Sequence, residues 1–342
     1  MSKMIAFQVP ALGRKFERVE REIPKPGFKE ALIKVHACGV CHSDAFTVEG
    51  VPAAQLLEPA QYPRIPGHEV IGTVLELGEY VEGWSVGDRV GLGWFGGSCG
   101  YCHNCRRAEP FACLNGPGGT GFTRDGGYAT HVLADVSAMV HVPADLDPVE
   151  SAPLLCAGIT TFNALRNCGA RPGDLVAIQG VGGLGHLAIQ YAARLGFRIV
   201  ALDLGREKEE FARQLGAHHY IDAATENPSE KLLALGGAMA ILAIAPNNEA
   251  MEAIHFGLRP NGTMMLFASG SFPIDVGNLV LKRGTIKGWF SGMAPDCEDA
   301  IAFSQLHGIS PIIETYPFEK AQEAYDRMMS GQARYRVVLT MD

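Results

Sequence analysis

Short apolar runs separated by glycine and proline dominate roughly the first 150 residues of the chain. The runs at residues 31–36, 70–75, 88–92 and 128–133 have the length and composition typical of β-strands. Turn sequences rich in glycine and proline separate them, and no long amphipathic helical pattern interrupts them. This part of the chain is therefore predicted to form a β-rich, barrel-like domain.

From about residue 150 onward, apolar runs alternate with amphipathic segments. Residues 174–180 contain a short apolar run, as expected for a strand buried on both faces of a parallel sheet, and residues 198–203 form a second such strand. Residues 150–168 suit a helix, and residues 183–195 carry apolar positions at helical spacing. Strand-like and helix-like segments continue to alternate as far as residue 268. The alternation predicts right-handed βαβ units and a doubly wound parallel sheet, hence an α/β fold class.

Composition and charge narrow the class of protein without changing this picture. The 342 residues are 47% hydrophobic and 19% charged, which suffices for roughly two domains with buried cores. No stretch approaches the ~18–20 apolar residues of a membrane-spanning helix, and the first residues lack the apolar region of a secretory signal. The net charge of −8 and the lack of a basic run argue against nucleic acid. We expect a cytoplasmic protein that binds neither membranes nor nucleic acids.

A glycine-rich turn joins the first strand of the parallel sheet to the helix after it, and its sequence is Gly180-Val181-Gly182-Gly183-Leu184-Gly185. It fits the G-x-G-x-x-G pattern of dinucleotide-binding domains. Gly180 permits the tight turn, Gly182 lets the backbone approach a pyrophosphate, and Gly185 lets the helix pack closely on the strand. Gly183 and Leu184 begin the helix, whose free N–H groups would face the phosphates. A flavodoxin-like turn without a dinucleotide remains the alternative.

The residue that ends the second strand bears on the choice of cofactor. Asp203 stands there, and its carboxylate can accept hydrogen bonds from the ribose hydroxyls of an adenosine. The same negative charge would repel a 2′-phosphate, so the sequence predicts NAD rather than NADP. Arg206 is close enough in sequence to contact the cofactor as well, and its positive charge weakens this preference.

Nine cysteines, an odd number, together with the lack of a secretory signal, favour metal binding over a disulfide scaffold. Four of them form a C-x2-C-x2-C-x7-C pattern, which can wrap one zinc ion tetrahedrally: Cys99, Cys102, Cys105 and Cys113. Because four sulfurs leave no position for water or substrate, the pattern predicts a structural zinc. An iron–sulfur cluster and metal-free thiols are the alternatives.

A second possible metal site is dispersed along the chain. Cys41, His68 and Cys156 together would supply two cysteines and one histidine, a ligand set of catalytic zinc that leaves a fourth position open. Taken singly, each residue is more typical of a structural role, and Cys156 between two apolar residues resembles an ordinary buried thiol. Spacing alone does not establish that the three side chains meet.

Taken together, these motifs identify a family. Over nearly its whole length the sequence resembles the zinc-dependent medium-chain alcohol dehydrogenases of the yeast and bacterial NAD type. The shared motifs are Gly39-Val40-Cys41-His42-Ser43-Asp44, Pro66-Gly67-His68-Glu69, the cysteine pattern at 99–113, Leu155-Cys156-Ala157-Gly158 and Gly180-Val181-Gly182-Gly183-Leu184-Gly185-His186. The resemblance implies a GroES-like catalytic domain at residues 1–153, completed by residues 290–342, and a Rossmann NAD-binding domain at residues 154–289.

Carried over position by position, the resemblance implies that Cys41, His68 and Cys156 bind a catalytic zinc. Glu69 would lie beside the ion and could become a ligand when water leaves, and Asp44 would orient His68 from the second shell of the site. With the structural ion, this makes two zinc ions per chain.

The resemblance also implies roles for the residues that follow Cys41. Ser43 would accept the proton of the alcohol and pass it through the nicotinamide ribose, while His42 would lie near the pyrophosphate of NAD. Many relatives continue this relay with a histidine at the position that Phe46 occupies here, so the relay must end at the ribose, use water or use another group. A solvent-facing loop position is the alternative for His42.

Three further expectations follow from the resemblance. Trp94 and Phe95 stand where the family lines its substrate pocket, which favours primary or aromatic alcohols, although ordinary core aromatics are the alternative. Residues 51–64 form a longer segment than the matching tryptophan-containing loop of yeast-type relatives and lack that tryptophan, which puts the pocket rim in doubt. The chain length is similar to that of the tetrameric bacterial enzymes, so a homotetramer is expected.

The predicted function is therefore reversible hydride transfer between a primary or aromatic alcohol and NAD, with the aldehyde as the other substrate. A cinnamyl-alcohol-type aldehyde reductase that prefers NADPH is one alternative, against which Asp203 argues. A non-catalytic sensor that binds zinc and NAD is another, and it would not need an open metal position.

Overall fold

The structure is a computed structural model that describes residues 3–50, 60–268 and 270–341. The chain divides into two units, each with its own internal packing. The first unit comprises Met1–Cys156, Gly292–Ala302 and Ser310–Asp342, and the second comprises Ala157–Ser291 and Phe303–Ile309. The functional boundaries after residues 153 and 289 stay a prediction. Within the described ranges, no helix is both long enough and apolar enough to cross a lipid bilayer.

Strands and helices follow one another along the chain as listed here. The strands are β1 Lys3–Gln8, β2 Glu17–Glu22, β3 Glu30–Val40, β4 Glu69–Leu77, β5 Arg89–Leu92, β6 His131–Asp135, β7 Met139–His141, β8 Leu175–Gln179, β9 Arg198–Asp203, β10 His219–Asp222, β11 Ala238–Ala243, β12 Leu258–Leu266, β13 Thr285–Gly288, β14 Ile313–Pro317 and β15 Arg336–Thr340. The α-helices are α1 Ala45–Val48, α2 His103–Arg106, α3 Pro148–Ser151, α4 Ala157–Asn167, α5 Gly185–Arg194, α6 Glu209–Gln214, α7 Pro228–Ala234, α8 Asn248–His255, α9 Val276–Lys282, α10 Ala294–His307 and α11 Ala321–Met329.

The first unit is built on a mostly antiparallel sheet in the order β14-β15-β3-β4-β5-β7, with β6 also paired to β3. β3 shows why the sequence forms it: Ile33 and Val35 are buried in the core, whereas Lys34 between them is exposed. This alternation places one face of the strand against the core and the other toward solvent. The separate hairpin β1–β2 adds Met4 and Ala6 to the same core.

The second unit contains a six-stranded sheet in which all neighbouring strands are parallel, in the order β10-β9-β8-β11-β12-β13. In order of occurrence along the chain this is 3-2-1-4-5-6, the order of doubly wound dinucleotide-binding sheets. β8 lies in the middle of the sheet and every one of its residues is buried, which explains its continuous apolar run. The predicted parallel sheet is confirmed.

Two segments differ from the sequence-based expectation. The helix expected near residues 150–168 is broken into α3, a 3-10 turn at Ala152–Leu155 and α4. Pro153 lies in that turn and has no N–H to donate to a continuous helix. α9 has no buried residue, and it exposes Val276, Val280 and Leu281, so no periodic apolar face indicated it in the sequence.

Candidate active site

Three segments of the first unit bring two cysteines, a histidine and a glutamate together. Cys41 directly follows β3, His68 and Glu69 stand at the start of β4, and Cys156 follows the 3-10 turn at Ala152–Leu155. The potential ligand atoms of these four residues all lie within 4.8 Å of one another. The Sγ atoms of Cys41 and Cys156 are 3.7 Å apart. The structure thus brings together the dispersed residues whose meeting the sequence left open.

Asp44 holds this cluster in place from one side. Its buried carboxylate accepts a hydrogen bond from the backbone N–H of Cys41 at 2.9 Å and one from the Tyr128 hydroxyl at 3.0 Å. Its other oxygen accepts from the N–H of Gly67 at 3.3 Å and lies 3.0 Å from Nδ1 of His68. Because all these contacts converge on one carboxylate, Asp44 joins the loop that carries Cys41 to the loop that carries His68.

The atoms left over are those that a metal would need. With Nδ1 of His68 held by Asp44, the tautomer that donates from Nδ1 leaves a lone pair on Nε2. Nε2 is buried and has no hydrogen-bond partner among the residues that the structure describes, and the same holds for Oε2 of Glu69. Buried polar atoms normally have partners. One imidazole nitrogen and two thiol sulfurs are a ligand set of zinc, so the residues fit the ion that the family resemblance implies.

The two thiols respond differently to their common environment. The thiol of Cys156 donates to Cys41, and this hydrogen bond holds the pKa of Cys41 well below its usual range. The same interaction raises the pKa of Cys156 well above its usual range, because its proton is held between the two sulfurs. Two buried sulfurs this close are both deprotonated only when a cation compensates their charge.

Glu69 faces a buried arginine that sequence analysis did not identify. Arg336 is the first residue of β15, and its guanidinium forms a buried ion pair with Glu69. Burial raises the pKa of Glu69, an effect that the charge of Arg336 partly opposes, to about 8. The partners are separated by 267 positions, so no local pattern indicated the pair. The one signal in the sequence was a charged residue, Arg336, at the start of the otherwise apolar strand β15.

Gly39 provides the space for the carboxylate of Glu69. It lies directly opposite Glu69 in the antiparallel pair β3–β4. A Cβ atom at position 39 would come within 1.8 Å of Oε2 of Glu69. No side chain fits at that distance, so the glycine of the family motif is needed here for space.

Ser43 and His42 occupy the 3-10 turn that follows Cys41. Ser43 is half-buried, whereas His42 is exposed. Trp94 lies beside the cluster, with its ring centroid 5.0 Å from that of His68, and Phe46 packs edge-on against Trp94 at 6.0 Å. Phe95 is buried, 6% exposed. Their predicted roles in proton transfer, cofactor binding and substrate binding stay predictions, and residues 51–59 of the proposed pocket rim lie outside the described residues.

The cysteine pattern forms a second cluster in the first unit. The ligand atoms of Cys99, Cys102, Cys105 and Cys113 lie within 4.8 Å of one another. Backbone N–H groups, of which that of Cys105 has the largest effect, lower the pKa of Cys102 to about 6. Burial raises the pKa of Cys113 to about 11. Four converging sulfurs fit a structural zinc, which the sequence pattern predicted.

In the second unit, three glycines of the glycine-rich turn differ in backbone conformation and in the space around them. Gly180 has a left-handed φ of 95°. A Cβ at Gly182 would meet nothing within 4 Å, so the backbone there is open to approach by a ligand. A Cβ at Gly185 would lie 1.8 Å from the carbonyl oxygen of Gly180, which accounts for the close packing of α5 on β8. The helix begins at Gly185 rather than at Gly183.

Asp203 lies at the end of β9 and faces this turn. Its carboxylate accepts hydrogen bonds from the N–H of Val181 at 2.7 Å and from the N–H of Leu204 at 2.8 Å. The ammonium of Lys208, which sequence analysis did not consider, lies 2.9 Å from the same carboxylate. Arg206 is instead paired with Glu209 at 2.7 Å and is more distant, at 3.4 Å, from Glu226. The predicted contact of Arg206 with a cofactor stays a prediction.

Comparison with known proteins agrees with this geometry. Residues 27–144 match the family model of the alcohol dehydrogenase GroES-like domain, and residues 183–305 match that of the zinc-binding dehydrogenases. The chain is 44% identical over 340 residues to the alcohol dehydrogenase patD of Penicillium expansum, covering 99% of this chain and 97% of that protein. It is 38% identical over 344 residues to an alcohol dehydrogenase of Geobacillus stearothermophilus, covering 99% of both.

Among solved structures, the alcohol dehydrogenase of the archaeon Aeropyrum pernix is similar, with a TM-score of 0.88 at 26% identity, covering 98% of this chain and 100% of that one. The predicted combination of a GroES-like domain with a Rossmann domain is confirmed, as is the predicted class, an alcohol dehydrogenase. On this combined evidence, the chain belongs to the zinc-dependent medium-chain alcohol dehydrogenase family.

Proposed function

We propose that this protein is an NAD-dependent alcohol dehydrogenase that interconverts primary or aromatic alcohols and the corresponding aldehydes. The observation that carries the proposal is the convergence of Cys41, His68 and Cys156, with the Nε2 atom of His68 buried and unpartnered. A protein that only bound zinc for structural reasons would need four protein ligands and no open position. Glu69 lies close enough to move toward such a position but is held by Arg336.

Two zinc ions per chain are part of the proposal. Cys41, His68 and Cys156 would hold the catalytic ion, and Cys99, Cys102, Cys105 and Cys113 would hold the structural one. When bound at the first site, zinc acts as a Lewis acid that eases loss of the alcohol proton and polarises the aldehyde carbonyl.

Residues of this chain would accept the proton of the alcohol and contact its carbon skeleton. Ser43, half-buried in the turn after Cys41, is placed to accept the hydroxyl proton of the alcohol. The ring of Phe46 cannot carry a proton onward, so the proton must leave by the cofactor ribose or by water. Trp94, with its ring against His68, offers an apolar wall for the carbon skeleton of the substrate. Such a wall favours aromatic and other apolar alcohols over sugars.

NAD rather than NADP is proposed because Asp203 ends β9 beside the glycine-rich turn. Its carboxylate already accepts hydrogen bonds from backbone N–H groups there, so it is held in position to meet the ribose hydroxyls. A 2′-phosphate would be repelled at that place. Lys208, 2.9 Å from Asp203, is the observation that favours the alternative, an NADPH-preferring aldehyde reductase of the cinnamyl-alcohol type.

One experiment tests the proposal and separates the alternatives. Purified protein is assayed with a panel of primary, aromatic and polyol substrates, and with aldehydes, using NAD(H) and NADP(H), while the absorbance of the reduced cofactor is followed. We expect kcat/KM with NAD(H) to exceed that with NADP(H), and activity to disappear with a zinc chelator. A higher value with NADP(H) would favour the cinnamyl-type alternative, and no turnover with any substrate would contradict an enzyme.

Metal analysis and solution mass complete the test. About two zinc ions per chain are expected for the enzyme, whereas a purely structural module would bind about one. By resemblance to bacterial enzymes of similar length we also propose a cytoplasmic homotetramer. Size-exclusion chromatography with light scattering would give a mass of about four times 36.7 kDa for the tetramer.

A further inference from the structure

Three basic side chains and a threonine form a row across four neighbouring strands on the solvent-facing side of the first unit's sheet. In the pairing of β6, β3, β4 and β5, His131 lies directly opposite Lys34, Lys34 opposite Thr73, and Thr73 opposite Arg89. Residues directly opposite one another point to the same face, and adjacent strands are ~4.8 Å apart. The row therefore spans about 14 Å of the sheet surface, counted as three strand spacings.

A fifth side chain joins the row through an irregularity in the pairing. The register of β3 against β4 shifts between Val35 and Ala37, so His36 is left without a direct partner. Its Nε2 atom lies 2.8 Å from the hydroxyl of Thr73. Thr73 thus stands at the centre, with Lys34 on one side, Arg89 on the other and His36 bonded to its hydroxyl. We call this group, with His131 at its edge, the basic row.

Within the part of the chain that the structure describes, no carboxylate pairs with the charges of the basic row. Among the described residues, neither Lys34 nor Arg89 forms an ion pair, and Nη1 of Arg89 is buried without a hydrogen-bond partner. Glu76 is exposed and lies opposite Leu32, two positions before Lys34. Asp88, next to Arg89 in the sequence, accepts a hydrogen bond from the backbone N–H of Ser85 at 2.7 Å.

Burial, and to a lesser extent the neighbouring positive charges, lowers the pKa of both histidines of the row. Burial, and then the charges of Arg89 and Lys34, lower the pKa of His36. Burial, and then Lys34, lower the pKa of His131. An anion placed among these groups would reduce the repulsion between them.

We propose that the basic row is a binding site for a tetrahedral oxyanion, such as inorganic phosphate or the phosphate group of a small metabolite. The guanidinium of Arg89 offers paired N–H donors that match two oxygens of such an anion. Lys34 adds a point charge, and the hydroxyl of Thr73 and the ring of His36 add neutral donors. The proposal does not depend on the proposed dehydrogenase activity, because none of these residues belongs to the two cysteine-containing clusters or to the glycine-rich turn.

The test is isothermal titration calorimetry of the full-length, zinc-loaded protein with inorganic phosphate at constant ionic strength. A parallel titration with glycerol phosphate distinguishes free phosphate from a phosphate monoester. Saturating NADH keeps the glycine-rich turn occupied, because that turn could also bind phosphate. The two key variants are Arg89→Gln and Lys34→Gln, of which the second changes only an exposed side chain.

We expect each variant to weaken phosphate binding by about tenfold or more, since each loses one charge-assisted contact. Arg14→Gln, an exposed change of the same charge elsewhere in the first unit, should bind like the wild type. Equal phosphate binding by wild type, Lys34→Gln and Arg89→Gln would overturn the proposal.

Discussion

Oδ1 of Asp44 lies 3.0 Å from Nδ1 of His68, and both side chains are almost completely buried. The contact selects the ring orientation in which Nε2 faces Cys41 and Cys156. Carboxylates that orient a metal-binding histidine in this way contribute strongly to metal affinity. The pair therefore links the loop after β3 to the metal cluster.

Replacing Asp44 by asparagine is expected to weaken zinc binding at the Cys41 cluster about 10–100-fold. The amide removes the negative charge, and its nitrogen cannot accept the hydrogen bonds that the carboxylate oxygens accept now. Competition with a chromogenic chelator measures the affinity. Tyr128→Phe removes one donor to Asp44 and leaves the charge, so its effect should be smaller. Equal zinc retention by wild type and Asp44→Asn would contradict the role given to this contact.

Replacing Ser43 by alanine is expected to lower kcat for alcohol oxidation at neutral pH by about 10²-fold or more, because the hydroxyl proton loses its acceptor. Zinc content and the unfolding midpoint should stay those of the wild type, since the side chain belongs to neither cluster. Stopped-flow measurement of reduced cofactor reports the hydride-transfer step. An unchanged rate would show that Ser43 is not the relay.

Two glycines of the dinucleotide turn should respond in opposite ways to alanine. In Gly185→Ala the new Cβ meets the carbonyl of Gly180 at 1.8 Å, so we expect a loss of stability of about 3 kcal/mol or more. In Gly182→Ala the Cβ meets nothing within 4 Å. Its stability should change by less than about 0.5 kcal/mol, while the methyl group obstructs a pyrophosphate and weakens NADH binding.

Urea unfolding and fluorescence titration with NADH distinguish these two effects. Each variant serves as the control for the other, because the two changes add the same methyl group to one turn. If Gly182→Ala bound NADH as tightly as the wild type, the glycine-rich turn would not be the site of the pyrophosphate.

Replacing Cys105 by serine is expected to reduce the zinc content from about two to about one per chain, because the structural site needs four sulfurs. The midpoint of thermal unfolding should fall by several degrees, since the loop around the quartet then lacks its ion. Plasma emission analysis and differential scanning calorimetry measure the two quantities. Cys168→Ser, at a buried cysteine of the second unit, should keep both zinc ions. A Cys105→Ser protein that retained two zinc ions would disprove the structural site.

The ion pair between Glu314 and Arg327 should make stability depend on pH. Two N–H groups of Arg327 donate to Glu314 at 2.9 and 3.0 Å, and this contact lowers the pKa of Glu314. A carboxylate whose pKa is lower in the folded state stabilises the fold above its unfolded pKa of about 4.3, and this contribution is lost as the pH falls through the folded value.

Glu314→Gln should therefore cost about 1 kcal/mol of unfolding free energy at pH 7, an estimate that allows for partial exposure of the pair. The difference from wild type should shrink as the pH is lowered below about 4.3. Urea unfolding at several pH values from about 7 down to about 2.5, which extends well below the unfolded pKa of about 4.3, measures it. A difference that grew toward low pH would have the wrong sign for this pair.

Much of this protein can be predicted from local sequence. The continuous apolar run at Leu175–Gln179 indicated a buried parallel strand, and the glycine spacing after it indicated the turn. The quartet at 99–113 converges because its cysteines are only a few residues apart. These features depend on neighbouring positions, and periodicity, turn chemistry and ligand spacing record such relations in the sequence.

What only the tertiary structure decided is which distant residues meet. Arg336 pairs with Glu69, Tyr128 bonds to Asp44, and Lys208 rather than Arg206 contacts Asp203. The convergence of Cys156 with Cys41 across 115 positions belongs to the same class. Contacts of this kind follow from strand order, register and side-chain direction, which are set by the packing of whole sheets. This packing depends on all the core residues together, so no local motif in the sequence predicts it.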